Sequence, residues 1–298
     1  MKIKVGTRGS KLALTQSQQL LDLLSEKNPE VSFEIVIIKT KGDLIQDVPL
    51  HKMNDKGIFV KEIEEALLKG DIDLAVHSMK DMPSISPEGL KFSCVPKRED
   101  PRDVFIFAEG IECLEQVPRG GKIGTGSKRR AFQLKKLRPD IETVPIRGNV
   151  DTRIRKIQED KLDGIILAAA GMKRLHLEEK ISQYIKVEEM VPAPTQGILA
   201  LQIREDDRQM EKLLKTIEDH ESTLQMKAER AYMKALGGSC HVPIGGYCKV
   251  MGELALIYGV FGDENGERLV SGQIETRLDK VEESANVLAG NLLKELKK

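Results

Sequence analysis

Val5-Gly-Thr-Arg-Gly-Ser-Lys11 stands between a short apolar run and a helical pattern, and Ile123-Gly-Thr-Gly-Ser-Lys128 repeats it later in the chain. In both places a strand runs into a glycine-bearing turn and then a helix, and Ser10 suits the N-cap position. A second pair of echoes supports the first. Asp73-Leu-Ala-Val76 leads to Met79-Lys80, and Asp163-Gly-Ile-Ile166 leads to Met172-Lys173. Recurrence of this kind predicts two similar α/β lobes with mostly parallel pairing, flanking a cleft.

In the first lobe, strands are expected at 3–5 and 31–39, with Leu12, Leu20, Leu21 and Leu24 at core spacing on the helix between them. Residues 40–57 show no periodicity, and a connection that long in a compact domain is often a functional lid. Phe59, Ile63 and Leu67 share one face of a helix over 58–69 that Gly70 closes. Strands follow at 71–76, 90–95 and 104–108. The second unit starts at 122 and places strands at 141–146 and 164–168. Val191-Pro-Ala-Pro-Thr-Gln-Gly197 reads as an interdomain crossover. It feeds a strand over 198–203 that is expected to return to the first lobe. A helix over 222–236, strands near 246–251, 254–261 and 268–274, and an amphipathic helix from 280 make a small third α+β domain. The expected boundaries are 1–97 with 195–216, then 98–194, then 217–298.

Hydrophobic content of 40% with 32% charged residues describes a globular chain rather than a disordered one. Aromatic content of 4% without Trp argues against a base-stacking surface. Lys plus Arg and Asp plus Glu both total 47, so net charge suggests no polyanionic partner. No apolar stretch approaches the ~20 residues a membrane span needs, and no signal segment is visible, so the cytoplasm is the expected location.

The neutrality is global only. Residues 119–156 hold twelve Lys/Arg and three Asp/Glu, a local excess of nine positive charges. Arg129, Arg130, Arg147 and Arg153 fall at strand ends or helix starts, as do Arg8 and Arg174. Ligands of open α/β sheets bind outside the carboxyl ends of strands, where helix N–H groups favour anions. The guanidinium fork matches carboxylate or phosphate, so the set implies a ligand with several anionic groups. Thr7, Ser10, Thr125 and Ser127 add hydroxyls. No P-loop or dinucleotide fingerprint is present, and the five histidines lack paired ligand spacing, so no metal is expected.

Two further residues attract attention. Leu236-Gly-Gly-Ser-Cys-His-Val-Pro-Ile-Gly-Gly-Tyr247 sets Cys240 in a loop dense in glycine after a helical pattern. The residues alone leave two readings open: a thiol offered to another molecule, or a small apolar residue filling a turn. Asp81, in Ser78-Met-Lys-Asp-Met-Pro83 after a strand, reads either as a loop cap or as a carboxylate that stabilises a developing cation.

Taken together, the motifs resemble the porphobilinogen deaminase (hydroxymethylbilane synthase) family. They include Gly6-Thr-Arg-Gly-Ser-Lys-Leu-Ala-Leu14, Lys56-Gly-Ile-Phe-Val-Lys-Glu62, Ala75-Val-His-Ser-Met-Lys-Asp81, Arg98-Glu-Asp-Pro-Arg-Asp103, Arg147-Gly-Asn-Val150, Ala168-Ala-Ala-Gly-Met-Lys-Arg174 and Cys240-His-Val-Pro-Ile-Gly245. The resemblance implies three α/β domains, the first two similar to a periplasmic binding protein and the third, with a three-stranded antiparallel sheet, carrying the cofactor loop. It implies a transferase that joins four porphobilinogen units, each losing ammonia, to a dipyrromethane held by a thioether to Cys240, then releases hydroxymethylbilane by hydrolysis. Asp81 matches the catalytic aspartate. Lys80, Asp81, Thr125, Ser127, Arg129, Arg130, Arg147 and Gly148 fall at cofactor contacts, and Arg8, Ser10, Arg147, Arg153 and Arg174 at substrate contacts. Lys52, Lys56 and Phe59 match a loop that covers the cleft. The family also implies a monomer, with no nucleic acid or membrane as partner.

Two departures stand out: Ser239 where glycine is expected, and Gly126-Ser-Lys128 where Ser-Ser-Leu is expected. Neither removes an essential residue. A two-lobed anion-binding protein would explain the arginines but not a third domain with a presented thiol. A nucleic-acid binder would explain only the basic stretch.

Overall fold

The computed structural model describes residues 2–44, 60–237, 242–263 and 268–298. The chain divides into two compact units, 1–99 with 198–223 and 100–197 with 224–298.

In the first unit the chain runs β1 (Lys2–Thr7), α1 (Lys11–Lys27), β2 (Ser32–Ile37), α2 (Lys41–Leu44), α3 (Lys61–Lys69), β3 (Leu74–Ser78) and β4 (Leu90–Phe92). Ser10 caps α1, its side chain accepting from the Ala13 N–H at 3.3 Å. Gly70, left-handed at φ 79°, closes α3 as the sequence predicts. The expected strand over 71–76 instead begins at Leu74, because the Gly70 turn is still unwinding through Asp71.

The second unit continues with β5 (Asp103–Phe107), β6 (Lys122–Gly124), α4 (Lys128–Leu137), β7 (Glu142–Val144), α5 (Val150–Glu159), β8 (Gly164–Ala168), α6 (Ala169–Arg174) and β9 (Gln183–Tyr184). The strand expected to reach 146 stops at Val144, since Pro145 has no N–H to donate. The chain then returns to the first unit as β10 (Leu199–Arg204), followed by α7 (Arg208–Leu214) and α8 (His220–Ala235). Last come β11 (Ile244–Met251), β12 (Leu254–Gly262), β13 (Leu269–Arg277) and α9 (Val281–Leu296).

The two large sheets share one plan. The first is ordered β2-β1-β3-β10-β4 and the second β7-β6-β8-β5-β9. Each has three parallel strands in its first half, then an antiparallel strand, β10 against β3 and β5 against β8. The doubled lobe and the return of the strand expected over 198–203 are therefore both observed. In the first lobe, Val5, Leu74, Val76 and Leu201 face Leu20 and Leu24 of α1, while Ala75 faces Ile63 and Leu67 of α3. The second lobe has apolar cores on both faces as well, around Phe105 and Ile166 and around Ile165 and Leu167. The third sheet, β11-β12-β13, is antiparallel throughout and packs its own core against α9. These are the two α/β lobes and the small α+β domain that the sequence leads one to expect, but the pairing is not mostly parallel: β10 and β5 each run antiparallel to both neighbours, because the chain crosses back between the lobes there.

Candidate active site

Register puts the carboxyl ends of β1 and β3 side by side, with Val5 opposite Leu74 and Gly6 opposite Ala75. Arg8 and Ser10 follow β1 there. A single 3-10 turn, Met79–Asp81, follows β3, and the Met79 N–H fastens it to Ile198 O at 3.0 Å. From α1, Gln16 Nε2 donates to Ser78 Oγ at 3.1 Å. This scaffold leaves Asp81 exposed, with Lys80 and Arg8 half-buried. Beneath them His77 is buried, and its pKa is pushed down to about 4, first by burial and then by the charge of Arg8.

The second lobe has the corresponding edge after β6, β7 and β8. Thr125 N–H donates to Val144 O at 2.9 Å, and Thr125 Oγ1 accepts from Ser127 N–H at 3.2 Å. A Cβ on Gly126 would lie 2.7 Å from Ile146 O, so this turn admits no side chain there. Ser127 caps α4, accepting from Arg130 N–H. After β7, Gly148 takes φ 113°, a region open to glycine, and Asn149 caps α5 by accepting from Thr152 N–H at 2.9 Å. Arg153 Nε donates to Gly148 O at 2.8 Å, and Arg147 is half-buried beside them. Arg174, on α6, is buried and donates to Gly197 O at 2.7 Å.

Arg129 and Arg130 differ from the others. Both are buried against Asp103, which is itself fully buried: Arg129 Nη1 lies 2.7 Å from Oδ2, and Arg130 Nη2 lies 2.8 Å from Oδ1. Arg129 also donates to Val191 O, Arg130 to Ile166 O, and Gln196 Nε2 to Asp103 Oδ1 at 3.0 Å. Burial would raise the Asp103 pKa, but the charges of Arg129 and Arg130 outweigh it and hold the carboxyl far below its usual range. Burial likewise lowers the Arg129 pKa. The trio keeps one net positive charge, two guanidiniums against one carboxylate.

Register and turns thus gather Arg8, Ser10, Lys80 and Asp81 on one edge, and Thr125, Ser127, Arg129, Arg130, Arg147, Gly148, Arg153 and Arg174 on the other. Cys240, Lys52, Lys56 and Phe59 lie outside the described residues. Sequence reasoning passed over Asp103 and Gln196. The available signal was an aspartate heading an otherwise apolar strand, where burial demands a charged partner.

Comparison with known proteins agrees with this picture. Residues 3–212 match the family model described as porphobilinogen deaminase, dipyromethane cofactor binding domain, and 223–298 match the porphobilinogen deaminase C-terminal domain. The porphobilinogen deaminase of Clostridioides difficile (strain 630) is 51% identical over 295 residues, covering 99% of this chain and 98% of the relative. That of Clostridium novyi (strain NT) is 50% identical over 299 aligned positions, covering 99% and 100%. That of Syntrophus aciditrophicus (strain SB) is 47% identical over 291, covering 98% and 95%. The chain belongs to the porphobilinogen deaminase family.

Proposed function

We propose that this chain condenses four porphobilinogen molecules in turn, each with loss of ammonia, onto a dipyrromethane covalently attached to Cys240, and releases hydroxymethylbilane by hydrolysis. It is thus a transferase of tetrapyrrole biosynthesis. The observation that carries the reading is the exposed carboxylate of Asp81, set on a rigid turn at a strand's carboxyl end with Arg8 following the neighbouring strand.

The second lobe's edge suits a dipyrromethane. That group bears acetate and propionate side chains, which call for guanidiniums and N–H donors in a partly dry setting. The Arg129–Asp103–Arg130 trio offers a net positive charge that burial has already desolvated, and Arg147 and Arg153 stand at the N-terminus of α5. We assign Thr125, Ser127, Arg129, Arg130, Arg147, Gly148 and Lys80 to this group, and Arg8, Ser10, Arg147, Arg153 and Arg174 to the substrate's carboxylates. Bound, the dipyrromethane would supply the free pyrrole α-carbon for the first new ring, and each later ring would extend the chain from that end.

Asp81 carries the chemistry. When ammonia leaves porphobilinogen, its nitrogen takes the C–N bonding pair with it and the methylene carbon becomes cationic, in conjugation with the ring nitrogen. A carboxylate fixed beside that nitrogen stabilises the charge as it develops. The same carboxylate accepts the proton that the attacked α-carbon loses once the new carbon–carbon bond has formed, and that loss restores the ring's aromaticity. Arg8 and Ser10 hold substrate so that the cation forms beside Asp81 and not elsewhere. Lys52, Lys56 and Phe59 are assigned to a covering loop. The boundaries 1–97 with 195–216, 98–194 and 217–298, a single chain as the working unit, and the cytoplasm as its location belong to the same proposal.

Asp81→Asn is the test. It should fold and keep the dipyrromethane, yet release ammonia from porphobilinogen on the order of a hundredfold more slowly, the size expected when a preorganised charge is removed. Turnover within a few-fold of the parent would contradict the role.

A further inference from the structure

We infer that Glu229 is a positioning residue: its carboxylate holds Thr195 in a left-handed conformation and so fixes β11, the first strand after Cys240 in the chain, against the arginine edge of the second lobe. The inference rests on reading Cys240 as the anchor.

Glu229 sits on α8 and is fully buried. Its Oε1 accepts the Cys248 N–H of β11 at 2.9 Å, and its Oε2 accepts the Thr195 N–H. Two backbone donors from different segments thus converge on one side chain with two acceptors. Thr195 has φ 62°. A β-branched residue is a genuine outlier there and persists only where its surroundings hold it. Pro194 precedes it, and Pro194 O accepts the Thr195 hydroxyl at 2.6 Å.

The conformation of Thr195 matters because of what lies on either side. The next residue, Gln196, reaches Pro101 O at 2.7 Å and Asp103 Oδ1 at 3.0 Å, joining the crossover to the buried arginine trio. On the other side, Pro192 O accepts the Gly246 N–H of β11 at 2.8 Å. Tyr232, one turn beyond Glu229 on α8, is fully buried and lies over Gly246 and Gly259, where an added Cβ would come within 2.9 and 2.8 Å of it. Cys248, Glu229, Thr195, Gln196 and Asp103 therefore form one continuous line from the third sheet to the second lobe's edge. The elements flanking Cys240 are α8 and β11, the same two that Glu229 joins. Glu229→Gln keeps one acceptor and turns an NH2 group toward the other N–H, releasing Thr195.

A double-mutant cycle tests this. Glu229→Gln should lower kcat per adduct-bearing molecule roughly tenfold, as a small misplacement of reacting groups does, with KM within about twofold. Thr195→Gly, which takes the left-handed region without strain, should stay near the parent and restore most of the loss when combined with Glu229→Gln. A merely structural role would lower the thermal midpoint or the folded fraction and leave kcat per adduct-bearing molecule unchanged. That result, or a double variant whose loss is the product of the two single losses, overturns the inference. If Glu229→Gln does not fold, Glu229→Asp, one methylene shorter, carries the same cycle with the same two outcomes. Absence of any adduct on the parent protein would sink the anchor reading instead, a result visible before any variant is made.

Discussion

The two lobes enter their helices alike but fill one place differently. Counted from the capping serines, Leu12 and Ala13 of α1 correspond to Arg129 and Arg130 of α4. Counted across the sheets, Leu199 opposite Ser78 corresponds to Asp103 opposite Ala168. In one lobe these positions carry the half-buried Leu12 and Ala13 and the buried Leu199, and in the other a buried Arg–Asp–Arg group. The difference separates two aspartates that look equivalent in a motif. Asp81 is exposed and available for chemistry. Asp103 is wholly buried and spent on holding two guanidiniums in place. In the proposed reaction the first lobe supplies the ionised carboxylate, and the second a preset positive field.

The largest way to break this contrast is Asp103→Ala. It leaves two buried guanidiniums without their anion and should cost about 3–5 kcal/mol in a urea unfolding experiment. Copying the first lobe's set into the second, with Asp103→Leu, Arg129→Leu and Arg130→Ala together, should restore a midpoint at or above the parent, since apolar replacements of buried ion groups are often neutral or stabilising. That variant should be inactive. Full activity in it would show that the trio is architecture alone.

A second effect sharpens the contrast through pH. The His77 pKa is depressed to about 4 in the fold against about 6.5 when unfolded. Its contribution is therefore complete above about pH 6.5 and is lost as pH falls toward 4, by roughly 3 kcal/mol in all. Asp103, also depressed, contributes fully above about pH 4 and loses that contribution only below it. His77→Gln should flatten the stability profile between pH 6.5 and 4 and leave the more acidic limb unchanged. A profile unaltered in the upper window would remove His77 from the explanation.

The smallest effect tests likeness instead of difference. Ser10→Ala and Ser127→Ala each remove an N-cap and should each cost about 1 kcal/mol by the same unfolding measurement. A large inequality would mean that the two turns are not the equivalents their shared sequence suggests.

How far these features are visible in the chain itself follows from their range. Ser10, Gly70 and Pro145 act on neighbours within a turn, so caps and element ends can be read or explained locally. The paired lobes are legible because Gly-Thr recurs between strand and helix and Asp73-Leu-Ala-Val76 is echoed by Asp163-Gly-Ile-Ile166. Asp81 and the arginines are legible as motifs. What arginine does at a motif position is not, because pairing depends on who else is buried there. Arg129 meets Asp103, 26 residues away, and Val191, 62 residues away. Gln196 and Glu229 escape notice for the same reason: Gln196 meets Pro101 O and Asp103, both distant in the chain, and Glu229 meets backbone N–H groups, which leave no trace in side-chain identity.

The most direct measurement is the mass of the intact, denatured protein. Active material should exceed its sequence mass by one two-pyrrole adduct, and Cys240→Ser should lack that increment and turn over no porphobilinogen. Active protein at its bare sequence mass would contradict the covalent dipyrromethane on which the proposed reaction depends.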